Sequence, residues 1–393
     1  MLSKRIPTTM KQNAISIEIE RLKKNGCPYI DLTTSNPTNC DFVYPKENII
    51  DTINKSELFT YKPNPHGNFS ARKAIATYHG NNITANDVVL TASTSEAFSW
   101  LFKLLCDPYD EILVISPGYP LFYWLASLEN IRIKTIPTIR HERWNIDFQS
   151  LEKAITSKTR ILVIVNPNNP TGQFILNDEW STLVSICTKY GITLLVDEVF
   201  KDYTLEPEND YLPTVLHKVQ HDCAIFVVSG LSKVAALPQI KLSWITAASK
   251  PAQAMIESLL FIADQYLSVS AHAELLAPKL LCLAPVIQTE IMQRIRKNLT
   301  KIDLSIEKHQ HISRLQVGGG WSVLVRRPAI TSGETFALRL LKEDRVLVHP
   351  GYFFDLPGDS YVVISLLLKP DIFQSGIEKL LMATLQHLSK EYQ

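Results

Sequence analysis

The chain has 393 residues, 46% of them hydrophobic and 20% charged, with 40 Lys+Arg against 39 Asp+Glu. This excludes a disordered or collagen-like chain, and at roughly 100–200 residues per domain the length allows two or three domains. A net charge of +1 excludes capture of nucleic acid or an anionic membrane by bulk charge.

The first 26 residues lack the apolar stretch of a signal peptide. Ile15, Ile17, Ile19 and Leu22 stand among charges and Gly26 closes the run, so 13–24 reads as an amphipathic helix. Residues 30–68 are rich in Asn, Pro and Thr and read as loop. Seven short apolar, β-branched runs follow: 88–93, 111–117, 132–137, 160–166, 192–199, 224–231 and 241–248. Helical patterns separate several of them, as at 95–105 and 178–190. Strands apolar throughout and alternating with helices predict an α/β fold, with a seven-stranded, mostly parallel sheet covered on both faces.

After Pro285 the pattern changes. A long helical stretch at 286–310 precedes strand-like runs at 321–326, 345–349 and 361–368 and a final amphipathic helix with Ile377, Leu380 and Leu381 on one face. The expected organisation is an N-terminal segment (1–45) packed on a small α+β domain (286–393), with a large domain (46–285) between. No apolar run approaches ~18 residues, so no membrane span is expected. The six cysteines form no CxxC and no metal-ligand spacing with His. They read as reduced thiols of a soluble, cytoplasmic chain with no metal site.

Three motifs each follow or end a predicted strand: Asn166–Gly172 (NPNNPTG), Asp197–Phe200 (DEVF) and Ser229–Lys233 (SGLSK). Sheets of this kind place ligands beyond the carboxyl ends of their strands. An amide, a carboxylate and a lysine on one sheet edge suit a pyridinium aldehyde cofactor. Lysine condenses with the aldehyde, a carboxylate keeps the ring nitrogen protonated, and an amide steadies the phenolic oxygen. Asn169, Asp197 and Lys233 stand 28 and 36 residues apart, about one βαβ unit each. In these motifs the chain resembles the fold-type-I pyridoxal-phosphate enzymes of the class I/II aminotransferase family, from about Asp31 to the C-terminal helix.

The resemblance implies pyridoxal 5'-phosphate as cofactor and an amino donor and a keto acid as substrates. Lys233 would be the Schiff-base lysine and proton carrier, Asp197 the partner of the ring nitrogen, and Asn169 the donor to the phenolic oxygen. Ser93, Thr94 and Ser95, at a helix start, would hold the phosphate; an ordinary helix cap would use the same geometry without a ligand. Tyr119 would stack on the ring. Tyr61 would reach the phosphate of a neighbouring subunit, which implies a homodimer.

Four positions depart from the family pattern. Phe200 stands where a tyrosine is usual. Gly230 replaces a phosphate-binding serine, with Ser229 and Ser232 beside it. Lys241 replaces the arginine that grips the phosphate and keeps only its charge. Val363, in 361–365 (YVVIS), replaces the arginine that binds the substrate α-carboxylate as a fork. Arg326 is the first choice as its substitute, with His349 and Lys369 behind it. Specificity segments are expected at 10–45 and 260–275. A lyase or decarboxylase on the same cofactor, and a non-catalytic protein that kept the fold, are the competing readings.

Overall fold

The structure is a computed structural model that describes residues 3–7, 11–53, 60–80, 83–140, 143–217, 221–267 and 269–391. Met10 and Ser268, within the expected specificity segments, lie outside these residues.

All seven expected runs form strands of one sheet. Their order is Val88–Thr91, Ser243–Ala247, Ile225–Gly230, Thr193–Asp197, Thr159–Val165, Glu111–Ser116 and Arg132–Arg140. Neighbours from Ile225–Gly230 through Arg132–Arg140 pair in parallel, and Ser243–Ala247 runs antiparallel to both of its neighbours. An eighth strand, Trp144–Ile146, extends the sheet beyond the seven expected. It is a three-residue edge pairing, too short to show an apolar run. The apolar residues at 112–114, 161–164 and 194–196 are all buried, as a sheet covered on both faces requires. Its parallel strands all end on one edge, and Ser243 starts the antiparallel strand on that same edge.

The C-terminal part carries a four-stranded antiparallel sheet in the order Ser313–Arg314, Ser322–Arg326, Tyr361–Ser365, His349–Pro350. The predicted N-terminal helix is present at Ala14–Lys24. Its Ile15 and Leu22 share an apolar cluster with Trp321, Phe336, Val362 and Phe373.

Two elements differ from expectation. Lys46–Ile53 is a helix within the stretch read as loop, short enough to be hidden by the Pro and Asn around it. The long helix starts at Ala271, not near 286, and runs to Ile306 with Pro278 and Pro285 inside it. The expected domain boundary therefore falls within a helix. Proline costs a helix one hydrogen bond and crowds the preceding turn, but two cores hold this one. Leu276, Leu280 and Ala284 pack with Leu231 and Trp244, and Ile287, Ile291 and Ile295 pack with Trp321 and Phe373. By length and composition this helix is apolar enough to cross a membrane; its buried apolar residues lie in these two cores.

Candidate active site

Asn169, Asp197 and Lys233 lie on the edge where the parallel strands end. Asp197 closes its strand, Asn169 follows Thr159–Val165, and Lys233 sits in the four-residue helix Leu231–Val234 after Gly230. Three asparagines occupy the first loop, and two of them build it. Asn166 donates to the Leu212 carbonyl (2.9 Å) and accepts from the Ile175 N–H (3.0 Å). Asn168 donates to the Pro117 carbonyl (3.3 Å) and accepts from Thr171. Asn169 alone is left without a hydrogen-bond partner among the described residues.

The carboxylates of the second motif divide in the same way. Glu198 accepts from the Thr214 hydroxyl (2.6 Å) and the Val215 N–H (2.7 Å), so it ties down the following loop. The Asp197 carboxylate accepts only the Val199 N–H (3.0 Å) among the described residues. Burial pushes its pKa up to about 6, against the pull of that N–H and of Lys233. Burial pushes Lys233 down to about 8, and the charge of Asp197 opposes it. The two groups thus feel each other's charge. At neutral pH roughly a tenth of Lys233 is therefore the neutral amine, where an ordinary lysine is almost wholly charged.

Aromatic rings enclose that amine. Nζ lies 4.8 Å from the Trp321 ring centroid and 5.4 Å from that of Phe200, and the two rings meet edge to face. Trp321 was read from sequence only as the start of a strand. The signal for it was Gly318-Gly319-Gly320. The Gly319 N–H donates to the Gly172 carbonyl (2.8 Å) and the Gly320 N–H to the Tyr203 carbonyl (2.8 Å), threading this segment between the first two motifs. A Cβ on Gly172, at φ +71°, would lie 2.6 Å from the Gly319 carbonyl oxygen. Only glycine permits that approach.

The carbonyls of a four-residue helix find few internal partners. Distant side chains supply partners to this helix and to the turn after it. The Tyr203 hydroxyl donates to the Lys233 carbonyl (2.6 Å), Gln288 to the Val234 carbonyl (2.9 Å) and Tyr44 to the Ala236 carbonyl (2.8 Å). Sequence reasoning missed all three.

Other expected residues are placed as follows. Ser93 caps the Thr94–Leu105 helix by accepting the Glu96 N–H (3.1 Å), while Glu96 accepts the Ala92 N–H (2.6 Å). The cap uses Ser93 Oγ only as an acceptor, so its proton stays free to donate to a phosphate. The hydroxyls of Thr94 and Ser95 have no partner among the described residues, and their N–H groups, in the first turn, have none either. The assignment of Ser229 to the phosphate is corrected. Strand alternation puts it with Ile225 and Val227, on the face away from that helix, where its hydroxyl is buried without a partner. Ser232 is half-buried and Lys241 exposed, both without side-chain hydrogen-bond partners among the described residues. Tyr119 is 42% exposed; partial burial and the charge of Asp197 raise its hydroxyl pKa. Tyr61 is 79% exposed.

Val363 is buried with Trp144, Leu324, Leu356 and Tyr361. Arg326 is exposed at the end of its strand, five residues from Trp321. At about 3.3 Å per residue it sits some 16 Å along the strand from the ring that meets Lys233, so the structure does not bring it into this cluster. Lys369 pairs with Asp41 (3.0 Å). His349, directly across from Val363, has its pKa lowered by burial.

The family model for aminotransferase class I and II matches residues 28–366. The chain belongs to that family. It is 24% identical to nicotianamine aminotransferase 1 of Oryza sativa subsp. japonica over 87% of this chain and 71% of that protein. An S-alkyl-thiohydroximate lyase of Arabidopsis thaliana is 26% identical over 50% of this chain and 43% of its own length. An alanine aminotransferase from Pyrococcus furiosus has the same fold, with a TM-score of 0.87 at 24% identity over 98% of this chain and 100% of that one.

Aminotransferases of class I and II depend on pyridoxal phosphate, and this member is an enzyme of that transferase class. Its residues fit the cofactor. The Asn169 amide is uncommitted, Asp197 is a buried carboxylate with one N–H partner among the described residues, and the Lys233 pKa is drawn down to about 8. Thr94 and Ser95 leave a helix start open to an anion.

Proposed function

We propose that this aminotransferase uses Lys233 as covalent anchor and proton carrier, on a donor not recognised through an arginine at 363. The observation that carries this is the Lys233 amine, enclosed by Trp321 and Phe200 and electrostatically coupled to Asp197. When bound, pyridoxal phosphate supplies a protonated ring that draws electrons from the donor's α-carbon. Asp197 provides the negative charge that keeps a ring nitrogen protonated, and its burial strengthens that interaction. Asn169 is free to donate to the phenolic oxygen. Lys233 Nζ, with a pKa near 8, is available as base and as acid near neutral pH, so it can take a proton from the α-carbon and return it. Trp321 and Phe200 set apolar surface beside Nζ.

The buried, apolar setting of Val363 supports a donor without the usual carboxylate contact. An arginine fork gives charge-assisted hydrogen bonds worth roughly 1.5–3 kcal/mol each, and valine gives none. In a screen of common α-amino acids against amines lacking an α-carboxylate, the amines should turn over at least as well. Tight, rapid use of simple α-amino acids by the unaltered protein would contradict this.

We further propose a homodimer. Tyr61 lines a pocket of about 450 Å³ with Asn64, Trp100, Leu267 and Glu274, a surface suited to a second copy reaching the cofactor edge. Sedimentation should give a dimer at assay concentration. A fully active monomer would exclude it. A cytoplasmic location is supported by six free cysteines, three of them buried.

The similarity to a lyase favours a second reading, elimination on the same cofactor. The non-catalytic reading is disfavoured by the uncommitted Asn169 and the poised Lys233.

A further inference from the structure

Gly230 stands where the resemblance leads one to expect a phosphate-binding serine, and the structure accounts for the glycine. Gly230 ends its strand directly opposite Ser243, the first residue of the antiparallel neighbour. Thr91 ends the next strand directly opposite Ser243 on its other side. Opposed residues share a face of a sheet, and side chains alternate along each strand. Val89, Phe226, Val228, Ile245 and Ala247 pack with Phe98 and Leu101 of the Thr94–Leu105 helix. By alternation Thr91, Gly230 and Ser243 lie on that same face, at the end from which the helix starts.

A Cβ on Gly230 would stand 2.2 Å from Ser243 Oγ and 3.0 Å from its Cβ. The Ser243 side chain therefore occupies the room that a side chain at 230 would need. Ser243 is 1% exposed, and its hydroxyl has no hydrogen-bond partner among the described residues. A hydroxyl on so buried a residue, left without a protein partner, is free to donate to a ligand. This one lies beside a twelve-residue helix whose first N–H groups, at Thr94 and Ser95, are also unpaired.

We infer that Ser243 and Gly230 are an exchanged pair: Ser243 reaches across from the neighbouring strand and donates to the cofactor phosphate in place of a side chain at 230. The phosphate cup then consists of the Ser243 hydroxyl and the N–H and hydroxyl groups of Thr94 and Ser95. This rests on the pyridoxal-phosphate reading. It requires Gly230 to stay bare, because a serine at both positions would collide.

The test compares binding of pyridoxal phosphate with binding of pyridoxal, which lacks the phosphate, to the apoprotein by fluorescence titration. Ser243→Ala should raise the Kd for pyridoxal phosphate about tenfold, the loss of one hydrogen bond to a charged group, and leave that for pyridoxal unchanged. Gly230→Ser alone should also weaken pyridoxal phosphate binding. The double variant Gly230→Ser with Ser243→Gly should restore it to within about threefold of the original. Pyridoxal binding serves as the control for folding. A Ser243→Ala protein that keeps the unaltered preference for the phosphorylated compound overturns the inference, as does equal weakening for both compounds. Unaltered protein that binds neither compound overturns the cofactor reading itself.

Discussion

Lys233→Ala should yield a folded protein that cannot be trapped with pyridoxal phosphate by borohydride and has lost on the order of 10⁴-fold in turnover. In the unaltered protein the reduced adduct should map by peptide mass to Lys233. An adduct on Lys241 would mean that the motif register is wrong. The environment of Lys233 adds a pH signature. Its pKa is pushed down to about 8 from the ordinary 10.5 by burial. The neutral amine is the nucleophile, so capture should speed up as pH rises and level off above a midpoint of about 8. At pH 7 roughly a tenth of such amines are neutral, against about 3 in 10,000 for an ordinary lysine. Stopped-flow absorbance of apoprotein mixed with pyridoxal phosphate checks this. A rate still rising steeply at pH 10 would show that Lys233 is not poised.

Asp197→Ala should separate capture from turnover. Lys233 and its aromatic enclosure remain, so the borohydride adduct should still form. Turnover should fall about 10³-fold, the scale of losing one preorganised charge from an enclosed site. Glu198 cannot stand in for it, since both its oxygens are tied to Thr214 and Val215. Near-normal steady-state turnover in Asp197→Ala would remove that carboxylate from the chemistry.

The sequence was readable wherever one chain segment decides the outcome. The seven main strands are continuous apolar runs because helices cover both faces of the sheet. Asn169, Asp197 and Lys233 stood out because each follows or ends a strand within a short motif. Trp144–Ile146 was too short for any periodicity, and the prolines of Ala271–Ile306 masked a helix that tertiary packing keeps whole. Trp321, Tyr203, Gln288 and Tyr44 were missed because their contacts with the Lys233 segment join residues 30 to about 190 positions apart. Ser229 carries a further lesson. A hydroxyl near a motif serves a ligand only if it points to the right face of the sheet. Ser243 satisfies that condition, and no motif marked it.

The central claim, amino transfer anchored at Lys233, is tested most directly by a single-turnover experiment. Holoprotein is mixed with excess amino donor and no keto acid, and the carbonyl product is counted per chain. Amino transfer predicts one equivalent of product, after which the reaction stops until a keto acid is added, because the amino group stays with the protein. Product that keeps accumulating past one equivalent without any keto acid would contradict the account and establish elimination in its place.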